Sequence, residues 1–537
     1  MNRPTFKVLK TFRAVALLAA TLLLQSSVAS SHFTASKTVN AANDTISSPS
    51  TKGGVTFEKL RIRKEEIWWQ QIGGDVLGEG RDNELGYSVD MSADGKRIVV
   101  GAINNDGNGP DSGHVRVFEE IEGAWVKVGQ DIDGEDTYDS SGYSVGMSSN
   151  GMRVIIGAYT NDGNGCNSGH ARIYEDMEGL WVKIGDDIDG EEEDDWSGSS
   201  VDINADGTMV IIGAPRNEDR GFQAGHARVF REVDGAWVQV GDDIDGETKS
   251  VYFGFAVAMN SDGKRVVIGG SGDGGYGGAF PSIGHARVFL LANNKSWVQY
   301  GPDIDGEAVG DESGISVDMN DKGSRIIIGA HFNDGKGSNA GHARVYEEQG
   351  LGNEWKQIGA DIDGDAAGDE SGSSVRMSSD GKSVIVGAKL NDGSGTNSGQ
   401  ARIYHEVEGT WIQVANVING VATGDQAGFS VGIDSDGTRV IVGFPYHDGN
   451  GQEDTGLIRV FALSNSIESD SPILSPTSSI PPTSPTSSIP PTDEPTPESS
   501  SFITDEPTPE SSSFILSRPS YFCSTLFGLV IATFLLC

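Results

Sequence analysis

Five copies of the pattern Asp-Ile-Asp-Gly-acid stand in the chain: Asp131 to Glu135, Asp187 to Glu191, Asp243 to Glu247, Asp303 to Glu307 and Asp361 to Asp365. Hard cations such as Ca²⁺ take about six to eight oxygen ligands, and closely spaced acids around a glycine offer several from one flexible turn. Two copies look best, those in which Asp311 and Asp369 follow at the same offset. They make Asp361, Asp363, Asp365 and Asp369, with Asp303, Asp305, Glu307 and Asp311, the candidate Ca²⁺ ligands. A plainer reading stands beside this one: Asp, Asn and Gly make turns and keep a chain soluble. A further copy, with Asn416 and Asn419 in place of acids, is unfit to bind a cation on either reading.

The 537 residues carry 39 Lys and Arg against 78 Asp and Glu, a formal charge of −39. That balance argues against sequence-independent nucleic-acid binding, where phosphates must be met by cations. Most of the charge falls in seven equivalent acidic segments, opposed only by Arg81 and Lys249. Near each segment stands Gly-His-x-Arg or a variant of it. Its histidines (His114, His170, His226, His285, His342) give way to Gln400 and Leu457 in two copies, while Arg116, Arg172, Arg228, Arg287, Arg344, Arg402 and Arg459 occur in all seven. Equivalent positions on separate units do not converge unless they line an axis, so the histidines read as structural rather than as metal ligands. The arginines read as partners of carboxylates. Cys166 reads as a lone thiol. No Ser/His/Asp, Cys/His or paired-acid set departs from the repeat, so the expectation is a protein that is not an enzyme, with no catalytic residues and no certain cofactor beyond the Ca²⁺ candidates.

These residues are positioned by a repeat. Trp69, Trp125, Trp181, Trp237, Trp297, Trp355 and Trp411 recur every 56 to 60 residues. Each unit holds four short runs in which β-branched and aromatic residues alternate with polar ones between Gly, Asp and Asn turns, the pattern of strands. A period of this length with four strands predicts a blade of an all-β, seven-bladed β-propeller. The repeat opens with an isolated Trp-type strand at 65–73 and ends without one, which predicts that the N-terminal strand closes the last blade.

The domain boundaries follow: 1–29 a secretory signal, 30–64 a linker, 65–463 the propeller, 464–520 a disordered Ser/Thr/Pro-rich stalk, and 521–537 a hydrophobic C-terminal tail. The tail has the order of a GPI-attachment signal, with Ser512 and Ser513 as candidate attachment sites, and a short single-pass anchor is the other reading. Asn43 and Asn294 begin N-glycosylation sequons. The expected location is extracellular, tethered to the plasma membrane or cell surface.

The order Gly-Tyr-Ser-Val, Val-Ile-Ile-Gly-Ala, polar loop, Gly-His-Ala-Arg resembles the FG-GAP repeat of integrin α-subunit propellers. The literal words survive at Gly254-Phe255, Gly428-Phe429 and Gly213-Ala214-Pro215, with a variant at Gly443-Phe444-Pro445. The resemblance covers 65–463 and implies a ligand-binding propeller at the cell surface, with the Gly-Tyr-Ser-Val strand innermost and the Trp strand outermost. That family's calcium loop, between the first two strands, is not carried over: here the connection is cut to hairpins such as Ser92-Ala93-Asp94-Gly95. The period exceeds that of WD40 propellers, and neither a paired-glycine kelch signature nor a sialidase box recurs.

Three roles are weighed on this basis. The first is a non-catalytic adhesion or binding protein whose acidic face engages an extracellular protein or glycan, with cations assisting. The second is a structural wall or coat component that binds cations in bulk. The last is a propeller-type polysaccharide hydrolase or lyase.

Overall fold

A computed structural model describes residues 67–272, 283–293, 295–350 and 353–465. The signal, linker, stalk and tail, with Asn43, Asn294, Ser512 and Ser513, lie outside the described residues. Seven antiparallel sheets and no α-helix occur among those described. Blade 1 comprises Ser88–Met91, Arg97–Ala102, His114–Ile121 and Ala124–Lys127, hydrogen-bonded in that order. Blades 2 to 6 repeat it, so the chain is a seven-bladed propeller with four-stranded blades. In blade 7 the outer strand is Ile67–Leu77, which pairs antiparallel with Leu457–Asn465.

One expectation needs correcting. The Asp-Ile-Asp segments read as loop are partly strand: Ile132 and Asp133 pair with Val115 and His114 of the third strand. Gly129, at φ +73°, lets the outer strand bulge and rejoin, and six blades share this break. Cys166 also departs from expectation, being disulfide-bonded rather than a lone thiol. The other two cysteines, Cys523 and Cys537, lie outside the described residues.

The second strand of each unit is apolar at successive positions because both of its faces are covered. In blade 1, Ile98 and Val100 pack with Ile441, Ile458 and Val460 of blade 7, whereas Val99 packs with Val145, Val154 and Ile156 of blade 2. All of Ile98, Val99 and Val100 are fully buried. The core is thus seven slabs, one between each pair of neighbouring blades.

Three devices knit each junction. Near the axis, a Cβ placed on Gly213 would lie 2.0 Å from the carbonyl oxygen of Gly254 in the next blade, and the same contact recurs around the ring from Gly101 with Gly142 to Gly443 with Gly86. At the rim, each Trp indole donates to an outer-strand carbonyl of the preceding blade, as Trp125 does to Ile72 (3.0 Å) and Trp411 to Ile358 (2.8 Å). On the face away from the acidic segments, the hairpins form a closed circle of backbone bonds. Ala93 donates to Ser149, Ser149 to Ala205, Ala205 to Ser261, Ser261 to Asp321, Asp321 to Ser379, Ser379 to Ser435, and Ser435 back to Ala93, at 2.9 to 3.2 Å.

Gly213→Ala is expected to destabilise the protein by about 1–3 kcal/mol, because two backbones must separate to admit one methyl. Gly74→Ala, where a Cβ meets nothing within 4 Å, is the control, with a change inside about 0.5 kcal/mol. Denaturant midpoints of the two variants test this, and equal midpoints would refute it. Deleting residues 65–73 should lower the unfolding temperature and speed amide exchange in Arg439–Phe444 and Leu457–Asn465; unchanged exchange there would argue against the pairing.

Candidate functional site

The acidic segments and the loops between second and third strands share one face. Asn108 donates through Nδ2 to the carbonyls of Gly134 (3.0 Å) and Glu135 (2.7 Å), and Asn164 repeats the contact with Gly190 and Glu191. A buried carboxylate adds a second tie in several blades: Asn161 donates to Asp139, Asn333 to Asp311 and Asn391 to Asp369, at 2.9 to 3.0 Å.

The Ca²⁺ candidates are distributed over these ties. Asp311 and Asp369 accept from the Asn side chains just named and from backbone N–H groups of Ala308, and of Asp365 and Ala366, within their own segments. Asp303 and Asp361 accept from Gln299 and Gln357, both at 2.6 Å. Asp365 pairs with Arg402 (2.7 Å), Glu307 with Arg344 (3.5 Å), and Asp363 lies 3.4 Å from Lys336 Nζ. The carbonyl of Asp305 accepts from Arg344 (3.1 Å). Among the described residues, the four acids of neither segment form a metal-capable group by themselves. What meets instead is Glu307 from one segment and Asp361 from the next, together with His342.

The invariant arginines pair with carboxylates, mostly across blade junctions. Arg402 donates to the carbonyl of Asp363 as well as to Asp365, and Arg172 donates to the carbonyl of Asp133 while lying 3.3 Å from Glu135. Arg459, whose preceding segment offers Val421 instead of an acid, makes a two-pronged pair with Asp75 of its own blade (both 2.8 Å).

Around the axis this face opens into a mouth that sequence reading missed. One backbone position in each acidic segment is left-handed although never glycine: Glu84, Ser140, Trp196, Tyr252, Glu312, Glu370 and Gln426, all at φ between 51° and 59°. Left-handed backbone is costly for such residues, and strain of this kind concentrates at functional sites. With the neighbouring positions they form two arcs. On one side ring centroids run Tyr446 to Phe429 (6.0 Å), Phe429 to Tyr87 (4.7 Å), Tyr87 to Tyr143 (5.2 Å), Tyr143 to Tyr159 (4.2 Å) and Tyr159 to Trp196 (5.2 Å), with the Arg216 guanidinium 3.4 Å over Trp196. All six rings are half-buried. On the other side His331 Nε2 lies 3.0 Å from Glu312, and Lys389 Nζ lies 3.0 Å from Glu370. A cavity of about 320 Å³ opens beside this charged arc, lined in part by Glu307, Val309, Asp311, Phe332 and Asn339. Where the arcs meet, burial and the nearby Asp454 and Asp82 push the Glu84 carboxyl up to about 7.

Below the mouth, the innermost strands place Asp90, Asp202 and Asp318 in the channel with Arg376. Each carboxylate accepts from the next blade's backbone: Asp90 from Met147 (2.7 Å), Asp202 from Met259 (2.6 Å) and Asp318 from Met377 (2.6 Å). Burial pushes Asp202 up to about 7 and Asp318 up to about 6. Arg376 opposes the shift in both, and the sibling acids add to it. The signal for this cluster is visible in the repeat: between Val and Met or Ile of the inner strand, the position varies as Asp90, Gly146, Asp202, Ala258, Asp318, Arg376 and Gly432 while its neighbours stay apolar.

The architecture is that of a seven-bladed β-propeller with four-stranded blades. Residues 79–118 match the family model of the FG-GAP repeat, a span that runs from an acidic segment through the first two strands into the third. A search of curated proteins finds no match.

Asp202 gives a pH signature. Because its folded pKa lies above its ordinary value of 3.8, its stabilising contribution is complete below that value and is lost as pH rises through about 7. Asp202→Asn keeps an acceptor for Met259 N–H and removes the charge. The variant should melt above the parent at pH 8, with the difference shrinking toward pH 5. A difference independent of pH would disprove the assignment.

Proposed function

We propose that the protein is a non-catalytic binding module whose axial mouth engages a glycan, and that it works at the cell surface. The observation that carries this reading is the aromatic arc facing a charged arc across one opening. Aromatic faces pack against the C–H faces of sugar rings, while carboxylate, ammonium and amide groups satisfy the hydroxyls around them. The left-handed positions add to it, since Trp196, Glu312 and Glu370 occupy backbone that Gly or Asn would hold with less strain. Adhesion by an acidic face, with tethering through the stalk and tail, rests on the signal-like 1–29, the stalk at 464–520 and the hydrophobic 521–537. The net charge of −39 leaves nucleic acid outside the ligands considered.

The test is a glycan panel probed with the secreted chain and with Trp196→Asn. Asn accepts the left-handed backbone, so the variant should melt within a few degrees of the parent while losing about tenfold or more in affinity for whichever glycan binds. Undiminished binding by the variant would remove the mouth from the proposal, and a panel without any ligand would remove the glycan.

A further inference from the structure

The structure assigns a divalent transition-metal site to a blade junction: His226 of blade 3, Glu191 of the preceding acidic segment, Asp243 of the following one, and Asp219 of the loop between second and third strands. Each offers one ligand atom, and these atoms lie within 4.8 Å of one another. His226 is fully buried, and neither of its ring nitrogens has a hydrogen-bond partner among the described residues. A buried imidazole without a partner is costly, and here it points at carboxylates without bonding them: Nδ1 lies 3.9 Å from Glu191 Oε2. Bonds of about 2.0–2.1 Å to a tetrahedral ion would hold ligand atoms roughly 3.4 Å apart, so a small contraction closes the site.

The carboxylates are arranged to spare an oxygen. Arg228 lies 3.4 Å from Glu191 Oε1, not from the Oε2 that is nearest His226, and Gln239 donates to Asp243 Oδ1 (2.6 Å). Glu191 and Asp219 are exposed, which leaves the site open to an ion from solvent. Nitrogen with oxygen donors suits Zn²⁺ and its first-row neighbours better than Ca²⁺.

The chain supplies its own comparison. The same three-residue unit, one ligand short, recurs as Glu135, His170 and Asp187 and as Glu307, His342 and Asp361. Where the histidine is lost, an acid is lost with it: Gln400 accompanies Val417 in the position of Asp243, and Leu457 accompanies Val421 in the position of Glu191. Purely structural histidines would not require that pairing. On this proposal His170, His226 and His342 need not converge on the axis, because each of the three meets acids from the two segments flanking its own blade.

The experiment is titration of the full chain, stripped with chelator, with ZnCl₂ by calorimetry and by elemental analysis after dialysis, in parallel with CaCl₂. Saturable Zn²⁺ uptake of up to three ions per chain, not displaced by millimolar Ca²⁺, is expected. His226→Gln, the residue that blade 6 already carries at this place, should remove the tightest site, and H170Q/H226Q/H342Q all of them. Asp219→Asn, in an exposed loop, should weaken only the His226 site and serves if the histidine variants fold poorly. An intense Co²⁺ visible band at longer wavelength than that of the aqua ion, as tetrahedral coordination gives, lost in His226→Gln would add support. No uptake, or uptake unchanged in the triple variant and in Asp219→Asn, would overturn the assignment.

Discussion

Backbone-to-backbone contact between paired glycines at every blade junction is the constraint on which this molecule depends. Gly101 of one blade lies against Gly142 of the next, and the relation repeats until Gly443 meets Gly86. Any side chain at these places would hold the blades apart near the axis. Because that approach is kept, the second strands are covered on both faces and the seven slabs of core form. The Trp indoles at the rim and the circle of hairpin bonds on the opposite face then lock the spacing that the glycines permit.

A scaffold so uniform frees its exceptions for function. The left-handed position in each acidic segment has nearly the same φ in all seven blades, yet it carries Trp, Tyr, Glu, Ser or Gln. Backbone geometry is therefore decoupled from side-chain choice there, and the choices sort into an aromatic side and a charged side. The channel position behaves likewise, with three Asp and one Arg among small residues. The acids of the segments divide into separate tasks: some tie loops, some hold arginines across junctions, and a few face a buried histidine.

Much of the fold could be read from the chain because local signals agree: alternation within short runs, turn residues between them, and a period near 56. The four strands per unit and the shared acidic face came from these patterns. The break in the outer strand was not visible, since Asp-Ile-Asp-Gly looks like loop until Ile132 is seen opposite Val115. Nor did the Ca²⁺ reading anticipate that Asp311 and Asp369 bond Asn side chains of the neighbouring loop. Acidic spacing along the chain reports what lies near in sequence, whereas those partners lie across a loop.

Taken alone, the sequence determined the repeat, the number of blades, the acidity of one face and the resemblance to FG-GAP units, because each is a local property multiplied seven times. Tertiary structure decided which unlike residues meet. The arc from Tyr446 to Trp196, the Asp and Arg cluster of the channel, and the meeting of Glu191, His226 and Asp243 all join different units. A ring brings each unit's exceptions against its neighbours' and onto one axis, and no single repeat contains that information.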